Sequence, residues 1–363
     1  MQIEQLFEKI RRQERVTPEE GLFLFGNAEL LDLADVAGEI RLRKNPPAGT
    51  GAPAVTFVID TNPNYSNVCN IDCVFCAFYR HEGEEGAYTH TVDEMIGNFR
   101  RAASNGVTTI LLQGGVHPDL PLSYYLELVE RTVREVPDVT PHFFSTSEII
   151  GMAKISGLTV EEVLRKLWNA GQRSLPGGGA EILSDRVKKK ISHLKGSSED
   201  WLQVMREAHR IGFKTTATMM YGHLENDEDI VAHLEAIRRL QDEHHGFTAF
   251  VPWSFKPGNT PLEKIIPHYA TPMQYLRMIA FSRIYLDNFD HIQASWFSEG
   301  KKTGQIALHF GADDFGGTLF EENVHAAANF VNKTNTDEVV SLIRESGFVP
   351  AQRTTGYEIL NYR

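Results

Sequence analysis

The chain is poor in cysteine: there are three in 363 residues, and all of them lie between positions 69 and 76. An odd number packed into so short a stretch excludes the disulfide framework of a small secreted fold. No apolar run approaches the ~18 residues of a membrane helix, and the start, Met1 to Arg12, lacks the apolar core of a secretory signal. A cytoplasmic protein with reduced thiols and no membrane contact is expected. Basic charge is also in deficit, with 36 Lys and Arg against 48 Asp and Glu and a net charge of −12. Nucleic-acid binding needs a basic face to neutralise phosphates, so that class is set aside.

What is present reads as an ordinary globular chain, 42% hydrophobic with 29 Gly and 16 Pro. Its length suits one large α/β barrel or two smaller domains. The cysteine stretch, Cys69-Asn-Ile-Asp-Cys73-Val-Phe-Cys76, suits a tight loop around a small metal assembly. Three thiolates would hold three irons of a [4Fe–4S] cluster and leave the fourth for a small chelating molecule. Reactive metal sites keep such an open position, whereas structural ones close it. A zinc loop completed by His81 or His90 is the alternative, as are three unrelated core cysteines.

Residues 1–50 read as a helical extension. Thr17-Pro18-Glu19-Glu20 is a capping box, and Asn27 is placed to cap a second helix with apolar Leu30, Leu31, Leu33, Ala34 and Ala37. Lys44 to Gly51 breaks the periodicity and serves as a linker. Residues 51–330 alternate short apolar runs with amphipathic helices, and 331–363 supply a C-terminal helix and tail packing on that domain. Eight strands are predicted, at 55–60, 108–113, 140–145, 172–175, 215–220, 248–251, 292–296 and 305–310. Eight βα units point to a closed (β/α)8 barrel of the TIM type, with an open six-unit barrel as the alternative.

Barrels place functional residues just after strand C-termini. The cysteine loop falls there, as do Gln113, Gly114, Gly115 and His117, then Ser145 and Glu148, then Gly177 to Glu181, then His223, then Trp253, then Asp313. Gly114–Gly115 offers close backbone approach to a ligand or a plain turn. Gly177–Gly179 matches neither a Walker loop nor a dinucleotide fingerprint. Glu181 and Glu148 are either ligand-binding carboxylates or helix caps. His142 is a further pocket candidate, and Lys188–Lys190 reads as a solvated face.

The C-x3-C-x2-C spacing with Phe75 before the last cysteine resembles the signature of the radical S-adenosylmethionine (SAM) superfamily. Together with Cys69 to Arg80, two more segments, Ser174 to Leu183 and Thr216 to His223, resemble the futalosine-pathway members of that superfamily, which act in menaquinone biosynthesis. Gly246 to Trp253, Ser295–Trp296 and Glu321 to Val324 favour the branch that cyclises dehypoxanthine futalosine, with aminofutalosine synthase a sister branch. The likeness runs from about residue 15 to the end and implies an oxidoreductase with a [4Fe–4S] cluster and SAM as cofactors. It implies Cys69, Cys73 and Cys76 as cluster ligands, and contacts to SAM from Phe75, Phe78, Tyr79, Gln113, Gly114, Gly115, Ser145 and Glu181. Arg80 and Trp253 are implied at the substrate, and His117, Glu148, His223 and Asp313 are candidates for proton handling. A radical formed from SAM would take hydrogen from ribose C4′, and the resulting carbon radical would attack the benzoate ring. The small-molecule substrate would then lose an electron and a proton. An electron donor such as flavodoxin or ferredoxin is expected. One departure from the group, Gly311-Ala312-Asp313-Asp314, is expected to add a carboxylate near the barrel mouth.

Overall fold

The Glu20 amide donates to the Thr17 hydroxyl, and Glu20 accepts in return from the Thr17 amide, so a helix opens at Pro18 as expected. This is a computed structural model, and it describes residues 2–47 and 51–363. Three helices, Ile3–Arg11, Pro18–Asn27 and Leu30–Lys44, precede the barrel. Asn27 does not cap the third of these. It closes the second, where its side chain donates to the Phe23 carbonyl at 2.8 Å, and Glu29 precedes the third. Positions 48–50 of the expected linker lie outside the described residues.

The strands are β1 (Ala54–Val58), β2 (Asp60–Thr61), β3 (Thr109–Leu112), β4 (Thr140–Phe143), β5 (Ser174–Leu175), β6 (Lys214–Tyr221), β7 (Phe247–Ser254), β8 (His291–Ile292), β9 (Asp314–Gly317), β10 (Val349–Arg353) and β11 (Ile359–Tyr362). Strands β2 to β8 pair in parallel in sequence order, and β1 pairs in parallel with β9 and β10. The Asp313 amide donates to the Ile292 carbonyl (3.1 Å) and the Ala294 amide to the Asp314 carbonyl (2.7 Å). These bonds join β8 to β9, which pairs with β1, the strand that leads into β2. Between strands run amphipathic helices such as Val92–Ser104, which buries Met95, Ile96 and Phe99 against the sheet. Each such side chain contributes roughly 1.5–3 kcal/mol on burial. No helix among the described residues is long and apolar enough to cross a membrane.

The expected strand at 305–310 is helical instead, with Lys301–Ala307 followed by a 3-10 turn at Leu308–Phe310. Its buried residues Gly304, Ala307 and Leu308 recur at helical spacing rather than alternating. The eighth barrel position is filled by β9, buried at all four residues. Asp313 therefore comes just before a strand, at the end of the barrel away from the mouth. The expected strand at 292–296 likewise stops at Ile292, and Trp296–Glu299 is helical.

The C-terminal tail enters the barrel wall. Strand β10 pairs with β1 along Ala54–Phe57, below the level at which β2 pairs with β3, and the Thr355 hydroxyl lies 2.7 Å from that of Thr109. Lys188 also departs from the expected solvated face. It is buried, and its ammonium donates to the carbonyls of Gly179 (3.2 Å) and Ala180 (3.3 Å), anchoring the glycine loop after β5.

Candidate active site

Beyond β2 the chain climbs through Asn62 and Asn64 into the cysteine loop, which is tied down on several sides. The Cys69 amide donates to the Arg80 carbonyl (3.0 Å), the Asn70 amide to the Val116 carbonyl (3.2 Å) and the Val74 amide to the Ile191 carbonyl (2.9 Å). The Val116 amide reaches Cys69 Sγ at 3.3 Å. This close seating depends on Gly115, because a Cβ there would lie 2.1 Å from the Val68 carbonyl oxygen.

Burial pushes the Cys73 thiol up to about 12, against the pull of the Lys195 ammonium. Burial also raises Cys69, with the Ile71 and Val116 amides opposing it. A metal binds the thiolate form, so a bound metal would displace these protons. Among the described residues no three His, Cys, Asp or Glu side chains converge on a single ion. A cluster takes one thiolate per iron and needs no such convergence. His81 faces Asp72 (3.4 Å) and His90 faces Glu94 (3.8 Å), so neither ring completes a zinc loop.

A cavity of about 330 Å³ opens beside the loop. Phe75, Cys76, Phe78, Gln113, Gly114 and Ser145 line it on the loop side. Glu181 stands on the same wall with φ +44°, accepting at Oε1 from Lys195 Nζ at 2.7 Å, while its buried Oε2 has no partner. The next helix begins at Asp185 behind Ser184, so Glu181 caps nothing. An orphaned carboxylate oxygen beside three thiols and an open glycine edge fits a ligand carrying amino or hydroxyl donors. The residues present thus fit a cluster together with SAM.

Across the cavity stand Trp253, Phe297 and His325. The His325 ring stacks on Phe297 with centroids 5.2 Å apart and sits 5.6 Å from Trp253. The deeper end is lined by Asp60, His142, Arg353 and Tyr357. Arg353 is ion-paired to Asp314. Burial holds His142 and His325 down at about 3, helped by Arg353 and Lys256 respectively.

Several expected site residues lie elsewhere. Glu148 is buried as the third helical residue of Thr146–Ser156, accepting from the Ser145 amide (2.7 Å), the Gly114 amide (3.1 Å) and the Tyr65 hydroxyl (2.8 Å). It holds Gly114 in place and offers no free oxygen. His117 Nδ1 accepts from the amides of Asp119 and Leu120, and His223 is bonded at both ring nitrogens, to the Leu224 amide and the Met220 carbonyl. Neither lines the cavity. Arg80 donates to the carbonyls of Ala77 (3.1 Å) and Tyr79 (2.7 Å), bracing the loop it belongs to. Tyr79 packs against His81 outside the cavity. Asp313 is corrected outright: at the far end it binds Arg283 and His291 and accepts from the Ile292 amide (2.8 Å), and the Arg283 charge holds it ionised down to about 2 against its burial.

Sequence reasoning missed Asp60, Lys195, His325 and Arg353 as cavity residues. Asp60 had a signal, a carboxylate ending an otherwise apolar strand. Arg353 ends β10, a strand that the apolar pattern did not show, and Lys195 and His325 sit far from any strand C-terminus that would have marked them.

An α/β barrel with three cysteines on the loop after its first strand, opening on one cavity, defines a metal-cluster enzyme. Residues 63–237 match the family described as "Radical SAM superfamily", and residues 244–363 match "CofH/MqnC C-terminal region". The cyclic dehypoxanthine futalosine synthase of Halalkalibacterium halodurans is 40% identical over 99% of this chain and 95% of its own length. That of Streptomyces coelicolor is 42% identical over 95% and 86%. The aminodeoxyfutalosine synthase of Thermus thermophilus is 37% identical over 96% and 94%. In fold the chain is similar to methylornithine synthase, with a TM-score of 0.72 at 18% identity over 95% of this chain and 97% of that one. The chain belongs to the radical SAM superfamily, whose members bind a [4Fe–4S] cluster and SAM, and its C-terminal third places it with the CofH/MqnC group.

Proposed function

We propose that the chain cyclises dehypoxanthine futalosine in menaquinone biosynthesis. The observation that carries this reading is the division of one cavity. The cysteine loop, Gly114, Ser145 and Glu181 form its polar end, and Trp253 and Phe297 form an aromatic wall facing it. A nucleoside-derived ligand and an aryl-bearing substrate would meet inside a single chamber. When bound, the cluster and SAM supply a 5′-deoxyadenosyl radical able to take hydrogen from an unactivated C–H bond. The protein's own part is to bind and orient. Cys69, Cys73 and Cys76 hold the cluster, Glu181 Oε2 and the Gly114 edge receive the donors of SAM, and Trp253 packs on the aryl ring, worth roughly 0.5–1.5 kcal/mol beyond area burial. A cytoplasmic one-electron donor such as flavodoxin or ferredoxin completes the turnover.

The test is anaerobic reconstitution with iron and sulfide, followed by incubation with dehypoxanthine futalosine, SAM and a reductant. The expected product is two hydrogens lighter than the substrate and carries no adenosyl group. An adenosyl adduct would move the chain to the sister branch, and a colourless protein holding one zinc would end the radical reading.

A further inference from the structure

Cyclisation of an aryl substrate has to dispose of a proton, and the four residues that the sequence offered for that task are all occupied elsewhere. The cavity wall supplies the replacement. Its titratable residues are Asp60, His142, Glu181, Lys195, Glu322, His325, Arg353 and Tyr357, together with the Cys76 thiol assigned to the cluster. Glu181 is paired with Lys195, and Arg353 with Asp314. Glu322 is taken up by the amides of Val324, His325 and Ala326 at the start of a helical turn. His142 and His325 are held neutral and are too weakly basic to keep a proton at neutral pH. Tyr357 is held protonated by its burial.

Asp60 is different. It is 93% buried and lies against the cavity, where the Leu319 amide donates to Oδ1 at 2.8 Å. Among the described residues this is the sole donor that another residue offers its carboxylate. The wall is cut to admit it: a Cβ on Gly317 would fall 2.0 Å from either carboxylate oxygen. The charged groups facing it are Arg353 from β10 and Asp314 from β9, of opposite sign. A buried carboxylate on the cavity wall, held at one oxygen by the Leu319 amide, is placed as a base.

Building on the cyclase reading, we propose that Asp60 is the catalytic base that receives the proton leaving the substrate ring. Once ribose C4′ is bonded to a ring carbon, the C–H bond at that carbon breaks. Its proton passes to the Asp60 carboxylate and both electrons of the bond stay with the ring, which then holds one electron more than an aromatic sextet. That surplus electron would pass to the oxidised iron–sulfur cluster that Cys69, Cys73 and Cys76 would hold, so the substrate would have lost one hydrogen atom to the adenosyl radical and one as proton plus electron. Burial, with the Asp314 charge adding to it and Arg353 and the Leu319 amide opposing, raises Asp60 to about 6, which keeps it ionised and moderately basic at neutral pH.

The experiment compares wild type with Asp60→Asn and Asp60→Ala, reading 5′-deoxyadenosine and cyclic product separately. Asp60→Asn should still cleave SAM and still take hydrogen from the substrate, while cyclic product per 5′-deoxyadenosine falls about 100-fold or more. In Asp60→Ala, added formate should restore part of that ratio, a response that a merely structural role would not give. In the wild type the ratio should decline as pH falls through about 6. Coupling within about twofold of wild type in Asp60→Asn, or folded Asp60→Ala that formate does not rescue, overturns the proposal. A wild type that makes no cyclic product at all overturns the functional reading instead, independently of Asp60.

Discussion

Lys195 Nζ lies 2.7 Å from Glu181 Oε1, with both side chains largely withdrawn from solvent, and the same ammonium lies 5.3 Å from the centre of the Phe75 ring. One lysine thus joins the cysteine loop to the carboxylate on the cavity wall. Removing one partner of a buried pair leaves an uncompensated charge and costs roughly 3–5 kcal/mol. Lys195→Met should therefore lower thermal stability and hinder cluster assembly, since its charge favours the Cys73 thiolate. Glu181→Gln should leave iron content intact and weaken SAM binding, measured by calorimetry on the reconstituted protein. Unchanged SAM affinity would return Glu181 to a structural role.

Gly115→Ala tests the seating of the loop. The added carbon meets the Val68 carbonyl at 2.1 Å and Cys69 Cβ at 3.0 Å, so the loop must lift. Each ~1.4 kcal/mol of relaxation weakens cluster uptake about tenfold. Iron content should drop sharply while the circular dichroism spectrum, set by the barrel, stays close to wild type.

Asp313→Asn separates position from chemistry. Arg283 would lose its partner in a fully buried setting, and a cost of roughly 3–5 kcal/mol should show in denaturant unfolding. Because Asp313 sits at the end of the barrel away from the cysteine loop, turnover per folded molecule should be retained. A stable but inactive variant would put Asp313 back among the proton-handling residues.

Four buried histidines, His142, His209, His233 and His325, are held down at about 3, chiefly by burial. Their unfolded counterparts titrate near 6.5, so the folded state binds fewer protons at any pH between those values. Stability is then full above about 6.5 and is lost as pH falls, by up to ~2 kcal/mol per histidine at pH 5. Thermal unfolding followed from pH 7.5 to 5 should show a steady decline, and His233→Gln should lessen it by about a quarter.

Much of the site's top half was legible because its signals are local. The cysteine spacing is a signal in itself, and Gly114–Gly115 and Trp253 each lie within a few residues of a strand end. Asp313 was misplaced because 305–310 is apolar enough to pass for a strand, although Gly304, Ala307 and Leu308 follow helical spacing. Glu148 was legible as a cap from Ser145 three residues before it, and the structure adds that its second oxygen holds Gly114. Arg353 and Lys195 were not legible. Arg353 reaches the cavity only because β10 pairs with β1 about 295 residues earlier, a separation at which sequence patterning carries no register. Lys195 lies just past the helix Asp185–Ile191 and reaches Glu181 and the Phe75 ring.

The most direct test of the whole account uses dehypoxanthine futalosine deuterated at ribose C4′, with reconstituted protein, SAM and a reductant. The account predicts deuterium in the released 5′-deoxyadenosine and a cyclic product free of the adenosyl group. Deuterium-free 5′-deoxyadenosine, or an adenosyl group bonded to the product, would contradict it.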